Sequence, residues 1–178
     1  MTSTNIYGIH IHTMTGSNCL QCSAVKKNGQ RCAKNTCMQF PYCWIHLKSI
    51  DKLQVKKSTV PNAGKGLFYV GKTDLKPKVK VTLYSSKEIT RTDIEGDYVL
   101  QVSSKQFLDG KDKSNFVGRY INSMNDTGKQ PNVRFGTGYR ISKKTINGET
   151  RYTIPIITIK KIKPNTELLL DYGKDYKF

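Results

Sequence analysis

The chain has 178 residues, a formal net charge of +17 and an apolar fraction of 37%. That length suits one domain, or one domain with a small module, and the apolar content is enough for a packed core. No apolar run approaches the roughly 18 residues of a membrane span, and residues 1–17 lack the basic start and apolar centre of a secretory signal, so an intracellular protein without membrane contact is expected.

Residues 1–50 contain no Asp or Glu. Such an excess of positive charge points to an acidic partner and predicts weak, non-specific contact with nucleic acid or the nucleosome. The lysines are scattered apart from short pairs such as Lys26-Lys27 and Lys143-Lys144, and no helix-turn-helix or similar reading module is apparent.

Residues 1–18 read as a polar N-terminal arm, with His10 and His12 close together. Residues 19–48 form a small module that holds all five cysteines, Cys19, Cys22, Cys32, Cys37 and Cys43, with His46 three residues beyond the last. An odd count in a reducing compartment argues against a disulfide framework. Zinc accounts for the pattern better, because thiolates and an imidazole satisfy a tetrahedral ion. Close pairs such as Cys19/Cys22 and Cys43/His46 bring ligands together at little cost in chain entropy. Two ligand sets are open: Cys22, Cys32, Cys43 and His46, or Cys19, Cys22, Cys43 and His46. The run from Cys22 through Asn28-Gly29 to Cys32, and on to Cys43-Trp44-Ile45-His46, resembles a cysteine/histidine module frequent in large DNA viruses of eukaryotes. That resemblance favours the first set.

Residues 47–60 read as a linker or short helix running into a strand. In Asn62-Ala63-Gly64-Lys65-Gly66-Leu67-Phe68 the glycines permit a tight turn and close approach to a ligand, but no Lys-Ser/Thr pair follows to make a phosphate loop. Val79, Val81 and Leu83 alternate with polar residues, as in a half-buried strand. Residues 97–102 suggest another strand. Asn147-Gly148 between two strand-like runs predicts a hairpin. Pro155 interrupts the run Ile154 to Ile159 and predicts a strand near a sheet edge. Near the C-terminus, Glu167-Leu168-Leu169-Leu170-Asp171-Tyr172-Gly173 is a short apolar segment that carries a phenol into a turn. Convincing amphipathic helices are absent, so a mostly β chain of short strands is expected.

In chain order come the Gly64-Lys65-Gly66 turn, Gln106-Phe107-Leu108-Asp109-Gly110, Arg119-Tyr120-Ile121-Asn122 with Pro131-Asn132, and the Glu167–Gly173 segment. This order and spacing resemble the SET domain of protein lysine methyltransferases, over residues 55–178. The resemblance implies a fold of small β-sheets around a knot-like C-terminal crossing, preceded here by the zinc-binding module. It also implies transfer of a methyl group from S-adenosylmethionine to a lysine ε-amine. Carried over position by position, Ala63, Gly64, Lys65, Phe107, Asn122 and Ser123 would bind the cofactor. Tyr172 would be the catalytic tyrosine, with Tyr98 beside it, and Tyr98, Phe107 and Leu170 would wall the substrate channel.

Three departures stand out. Ser123 occupies the place of a family histidine, and Leu170 that of an aromatic residue. The chain has no C-terminal cysteine cluster, leaving Tyr176 or Phe178 to cover the cofactor. A histone tail or a viral protein is the implied substrate, with Asp93, Glu95 and Asp97 as the acidic cluster to receive it. A host nucleus or a virus is the implied location. The competing class is a catalytically weak or inactive relative that binds chromatin, nucleic acid or a protein through its basic surface and module.

Overall fold

The computed structural model describes residues 20–36, 41–89, 98–101, 106–110, 117–124, 127–136, 142–146 and 149–173. The N-terminal arm, Cys19, Cys37, the acidic cluster and residues 174–178 lie outside them. The chain is mostly β, as its sequence predicts. Its first elements are β1 (Leu20–Gln21) and β2 (Asn35–Thr36), which pair antiparallel, then the single helical turn α1 (Trp44–His46) and a π turn over Leu47–Asp51. Lys52, in the left-handed region at φ 57°, ends that turn and leads into β3 (Leu53–Lys57). No helix among the described residues is long and apolar enough to cross a membrane.

The remaining strands are β4 (Lys65–Tyr69), β5 (Lys80–Ile89), β6 (Val99–Gln101), β7 (Phe107–Asp109), β8 (Asn122–Ser123), β9 (Val133–Phe135), β10 (Ser142–Ile146), β11 (Glu149–Thr158), β12 (Thr166–Glu167) and β13 (Leu169–Leu170). A six-stranded sheet runs β10-β11-β5-β7-β6, with β9 also on β11; a second runs β12-β4-β3. β10 and β11 pair from Ile146↔Glu149 onward, so the two strands of the predicted hairpin are present, while its Asn147-Gly148 turn lies outside the described residues. One apolar core joins the sheets, with Leu67, Leu108, Ile121, Val133, Ile154 and Ile156 at 0% exposure. Tyr42 packs on this core and also on the small cluster of Cys22, Ala24, Cys32 and Cys43, so it couples the two.

Two strand expectations need correction. Val79 precedes β5 and is 36% exposed, and Val81 and Leu83 are only half-buried, whereas Tyr84, Ser85 and Ser86 are buried. β5 does form, from Lys80 to Ile89, but the core takes its consecutive residues Tyr84 to Ser86, beyond the alternating stretch. Pro155 is not at an edge: it stands in β11 opposite Leu83 of β5. Its carbonyl accepts from the Gly136 amide at 2.8 Å, on the side of β9 and β10. An extended residue directs its N and C=O to the same edge. The missing N–H therefore faces the same neighbour, Gly136, one place beyond the Ile156↔Phe135 pair, so the proline removes a single bond at the end of the β9 ladder.

Candidate active site and metal-ligand cluster

Near the C-terminus the chain is held from two sides. β13 pairs in parallel with β8, Leu169 opposite Asn122 and Leu170 opposite Ser123, and Met124 N–H donates to the Leu170 carbonyl at 2.9 Å. On the other edge, Asn132 N–H donates to the Leu169 carbonyl at 3.0 Å. Its side chain acts as a further length of strand: Oδ1 accepts from Leu169 N–H at 2.9 Å and Nδ2 donates to the Glu167 carbonyl at 2.7 Å. The C-terminal segment thus runs between two asparagine stretches, the crossing expected from the sequence. Parallel pairing of β8 and β13 requires a long connection, which the chain supplies through β9 to β12.

This crossing gathers part of the predicted site. Asn122 Nδ2 donates to the Lys65 carbonyl at 3.0 Å, to Ser58 Oγ at 3.0 Å and to Glu167 Oε1 at 3.3 Å. Tyr172 Oη donates to the carbonyl of Ile121 at 2.5 Å, which seats the phenol against the residue before Asn122. Ala63 is half-buried and Gly64 and Lys65 are exposed, so the glycine turn is open on its outer side. Ser123 (0%) and Leu170 (1%) are fully buried; any larger residue at either position would have to displace core neighbours.

Gly66 supplies the close approach that its sequence context predicts, but to protein rather than to open space. A Cβ there would stand 2.0 Å from Glu167 Oε1 and 3.3 Å from Asn122 Nδ2. Gly66→Ala should therefore destabilise the fold by about 1–3 kcal/mol or more, as overpacking does, and a melting temperature within about 1 °C of the parent's would contradict this packing.

Tyr98 and Phe107 lie on the larger sheet. The Tyr98 carbonyl accepts from Tyr84 Oη at 2.6 Å and from Gly110 N–H at 2.9 Å. The Arg119 guanidinium sits 5.3 Å above the Tyr98 ring and 5.1 Å from that of Tyr120. The Tyr98 ring is thereby linked to the 3-10 turn Val117–Tyr120, which leads directly to Asn122. Phe107 is buried on β7, in register with Ile89 and Gln101. Burial, with the Asp109 charge adding to it, pushes the Tyr84 phenol well above its ordinary value, which keeps it a neutral donor. Sequence reasoning assigned no role to Tyr84, Ser58, Thr59 or Glu167, because nothing local to them reveals their partners.

Among the described residues the Cys/His cluster is Cys22, Cys32, Cys43 and His46, the set that the resemblance favours of the two left open by spacing. Gly29 N–H donates to the Lys26 carbonyl at 3.0 Å with Gly29 at φ 79°, and Cys32 N–H returns to the Ala24 carbonyl at 2.8 Å. This Asn28-Gly29 turn carries Cys32 back beside Cys22. Cys43 and His46 lie three apart on the helical turn, hence on one face. His46 Nδ1 is 3.3 Å from Cys22 Sγ and 3.4 Å from Cys43 Sγ, and the ligand atoms of Cys22, Cys32, Cys43 and His46 all lie within 4.8 Å of one another. A tetrahedral zinc ion sets its sulfur and nitrogen ligands roughly 3.5–3.8 Å apart, so this donor set fits it; Cys19 lies outside the described residues. Burial pushes the Cys22 thiol up, but donation from the Cys43 and Ala24 backbone and from His46 and Cys43 side chains outweighs it and brings the pKa to about 7. Burial holds the Cys43 thiol above its ordinary value. A cavity of about 280 Å³ between this module and β5, lined by Tyr42, Asp51 and Val81 among others, shares no residue with the crossing.

The family model described as the SET domain matches residues 18–173, starting ahead of the motifs read from the sequence. Among solved structures, the chain is similar to the methyltransferase domain of human PR domain-containing protein 2. Identity there is 21%, covering 71% of this chain and 81% of that one, at a TM-score of 0.50, which is a likeness of fold. A Plasmodium falciparum candidate histone methyltransferase is 18% identical, covering 70% of this chain and 96% of that one, at a TM-score of 0.47. ctPRC2 in an autoinhibited conformation bound to S-adenosylmethionine is 23% identical, covering 71% of this chain and 16% of that one, at a TM-score of 0.49. No protein of curated function matches the chain.

Proposed function

The chain belongs to the SET domain family, and from that premise we propose that it is a protein-lysine methyltransferase that uses S-adenosylmethionine. The observation that supports this most is the convergence of Asn122, Tyr172 and the Gly64-Lys65-Gly66 turn at the C-terminal crossing. When bound, S-adenosylmethionine supplies an electrophilic methyl group whose transfer to an amine is an in-line displacement.

The residues of this chain then have positioning to do, which for a well-oriented pair contributes on the order of 7–11 kcal/mol. Ala63, Gly64 and Lys65 would receive the cofactor, Asn122 would hydrogen-bond it, and Phe107 and the buried Ser123 would support its pocket. The Tyr172 phenol spends its proton on the Ile121 carbonyl, so it presents lone pairs to the reacting centre. Those lone pairs would face the electron-poor methyl and orient the amine. The lysine must arrive neutral, and desolvation between Tyr98 and Phe107 disfavours its ammonium form. After transfer, the same rings favour a methylated ammonium, and the Arg119 guanidinium over Tyr98 shows that this ring accepts a cation. Leu170 backs the channel from the core.

Zinc at Cys22, Cys32, Cys43 and His46 is proposed as a structural ion that fixes the module against Tyr42. A histone tail or a viral protein is the proposed substrate, and the corresponding place of action is a host nucleus or a virus. The basic surface makes weak contact with nucleosomal DNA. Transfer of a labelled methyl group, offered nucleosomes, free histones and the protein itself, tests the activity. Calorimetry tests the cofactor: Asn122→Ala should weaken S-adenosylmethionine binding by about 5- to 150-fold, the worth of a stranded buried hydrogen bond. An unchanged dissociation constant would remove Asn122 from the binding site. Replacement of the family histidine by Ser123 keeps a second reading in view, a non-catalytic binding module; cofactor binding without transfer to any substrate would favour it.

A further inference from the structure

Glu167 is a buried carboxylate, 5% exposed, and four donors meet it. Oε1 accepts from Ser58 Oγ at 2.6 Å and Asn122 Nδ2 at 3.3 Å; Oε2 accepts from the Thr59 amide at 2.7 Å and from the Thr59 hydroxyl. The hydroxyl directions follow from their other partners. Ser58 Oγ accepts from Val60 N–H at 2.9 Å and from Asn122 Nδ2, so its own hydrogen goes to Glu167. Thr59 Oγ1 accepts from Lys129 Nζ at 2.6 Å, so its hydrogen goes there too. Three hydrogens directed at one carboxyl, with a share of the two that Asn122 Nδ2 spreads over Lys65, Ser58 and Glu167, suit the acceptor-only form. Among the described residues no cation pairs with Glu167; Lys129 reaches it only through Thr59.

The consequence falls on Asn122, whose amide can in principle sit either way round. Reversed, its Oδ1 would face the Lys65 carbonyl at 3.0 Å and the Glu167 carboxylate at 3.3 Å, acceptor against acceptor. The carboxylate and the Lys65 carbonyl together therefore hold Nδ2 inward. Oδ1 has no partner among the described residues and is the polar end left for a ligand, which must be a donor.

We propose that Glu167 is a positioning residue: it orients Asn122 so that Oδ1 accepts from the ammonium group at the amino-acid end of S-adenosylmethionine. This rests on the cofactor reading above. The adenine amine is the cofactor's other donor, but the ammonium is favoured because a carboxylate without a cation partner lies directly behind the amide, and its negative potential selects positive charge.

The test is calorimetry with three ligands: S-adenosylmethionine and S-adenosylhomocysteine, which carry the ammonium, and methylthioadenosine, which lacks it. Glu167→Gln puts a donor against Asn122 Nδ2. It should weaken the first two by about tenfold or more and leave the third within about twofold. In an Asn122→Ala background the same change should cost less than about twofold, because the coupled partner is gone. Equal losses for all three ligands would show a merely structural role, and no loss would overturn the proposal outright. Should the variant fail to fold, the ligand-free parent still decides: the Asn122 side-chain amide protons should exchange slowly in a nitrogen-15 correlation spectrum, and exchange at the rate of an exposed asparagine would overturn the clamp. A parent that binds none of the three ligands would instead sink the cofactor reading, while the exchange measurement would still report on the clamp itself.

Discussion

Purified without chelator, the protein should carry about one zinc ion per chain, and Cys43→Ser should lose it together with the fold of residues 20–47. The donor set is complete, with Cys22, Cys32 and Cys43 buried and His46 Nδ1 within 3.4 Å of two sulfurs. Among the described residues its buried apolar cluster is small, Cys22, Ala24, Cys32 and Cys43 with Tyr42 packed on it. Structural zinc contributes about 10–16 kcal/mol of apparent binding free energy in small zinc-dependent folds, far more than four small side chains contribute by burial. Chelation should also reach the larger core, because Tyr42 and Leu47 belong to it. Elemental analysis and melting with and without chelator check both points. Zinc-free protein that melts as the parent does would refute a structural ion here.

The second large effect should come from Tyr172→Phe. The ring is retained, so its packing on the core is unchanged, and what is lost is the hydroxyl and its bond to the Ile121 carbonyl. The stability cost should be modest, about 0.5–1.5 kcal/mol. Turnover should fall by roughly 10²–10⁴-fold, the usual scale for a side chain that acts at the reacting atoms, while the affinity for S-adenosylmethionine stays within about threefold, since the interaction is made with the transferring methyl and the amine. Single-turnover transfer alongside calorimetry separates the two effects. Equal turnover in variant and parent would dismiss the phenol from the chemistry. Parallel loss of affinity and rate would make it a binding residue.

The sequence by itself determined the parts that depend on neighbours a few residues apart. Asn28-Gly29 specifies a turn because glycine tolerates positive φ. That turn and the Cys43/His46 spacing assemble the Cys/His cluster almost locally. The strands of the β10–β11 hairpin follow from the same turn chemistry, and the ordered motifs from Gly64 to Tyr172 identified the family. Only the tertiary structure decided what those motifs touch. Glu167 meets Ser58 across 109 residues, and no local signal in an acidic residue before three leucines reveals that partner. The same holds for Asn132, whose side chain extends the sheet beside Leu169. The two strand misreadings share this origin. Alternation marks a strand but not which of its residues the core takes, and in β5 those are Tyr84 to Ser86, beyond the alternating stretch; a proline inside a sheet costs one bond, and Pro155 places that loss at the end of the β9 ladder. Turn chemistry and spacing act within a few residues, whereas the choice of which strands become neighbours is made by burying one common core, and that is decided by the whole chain at once.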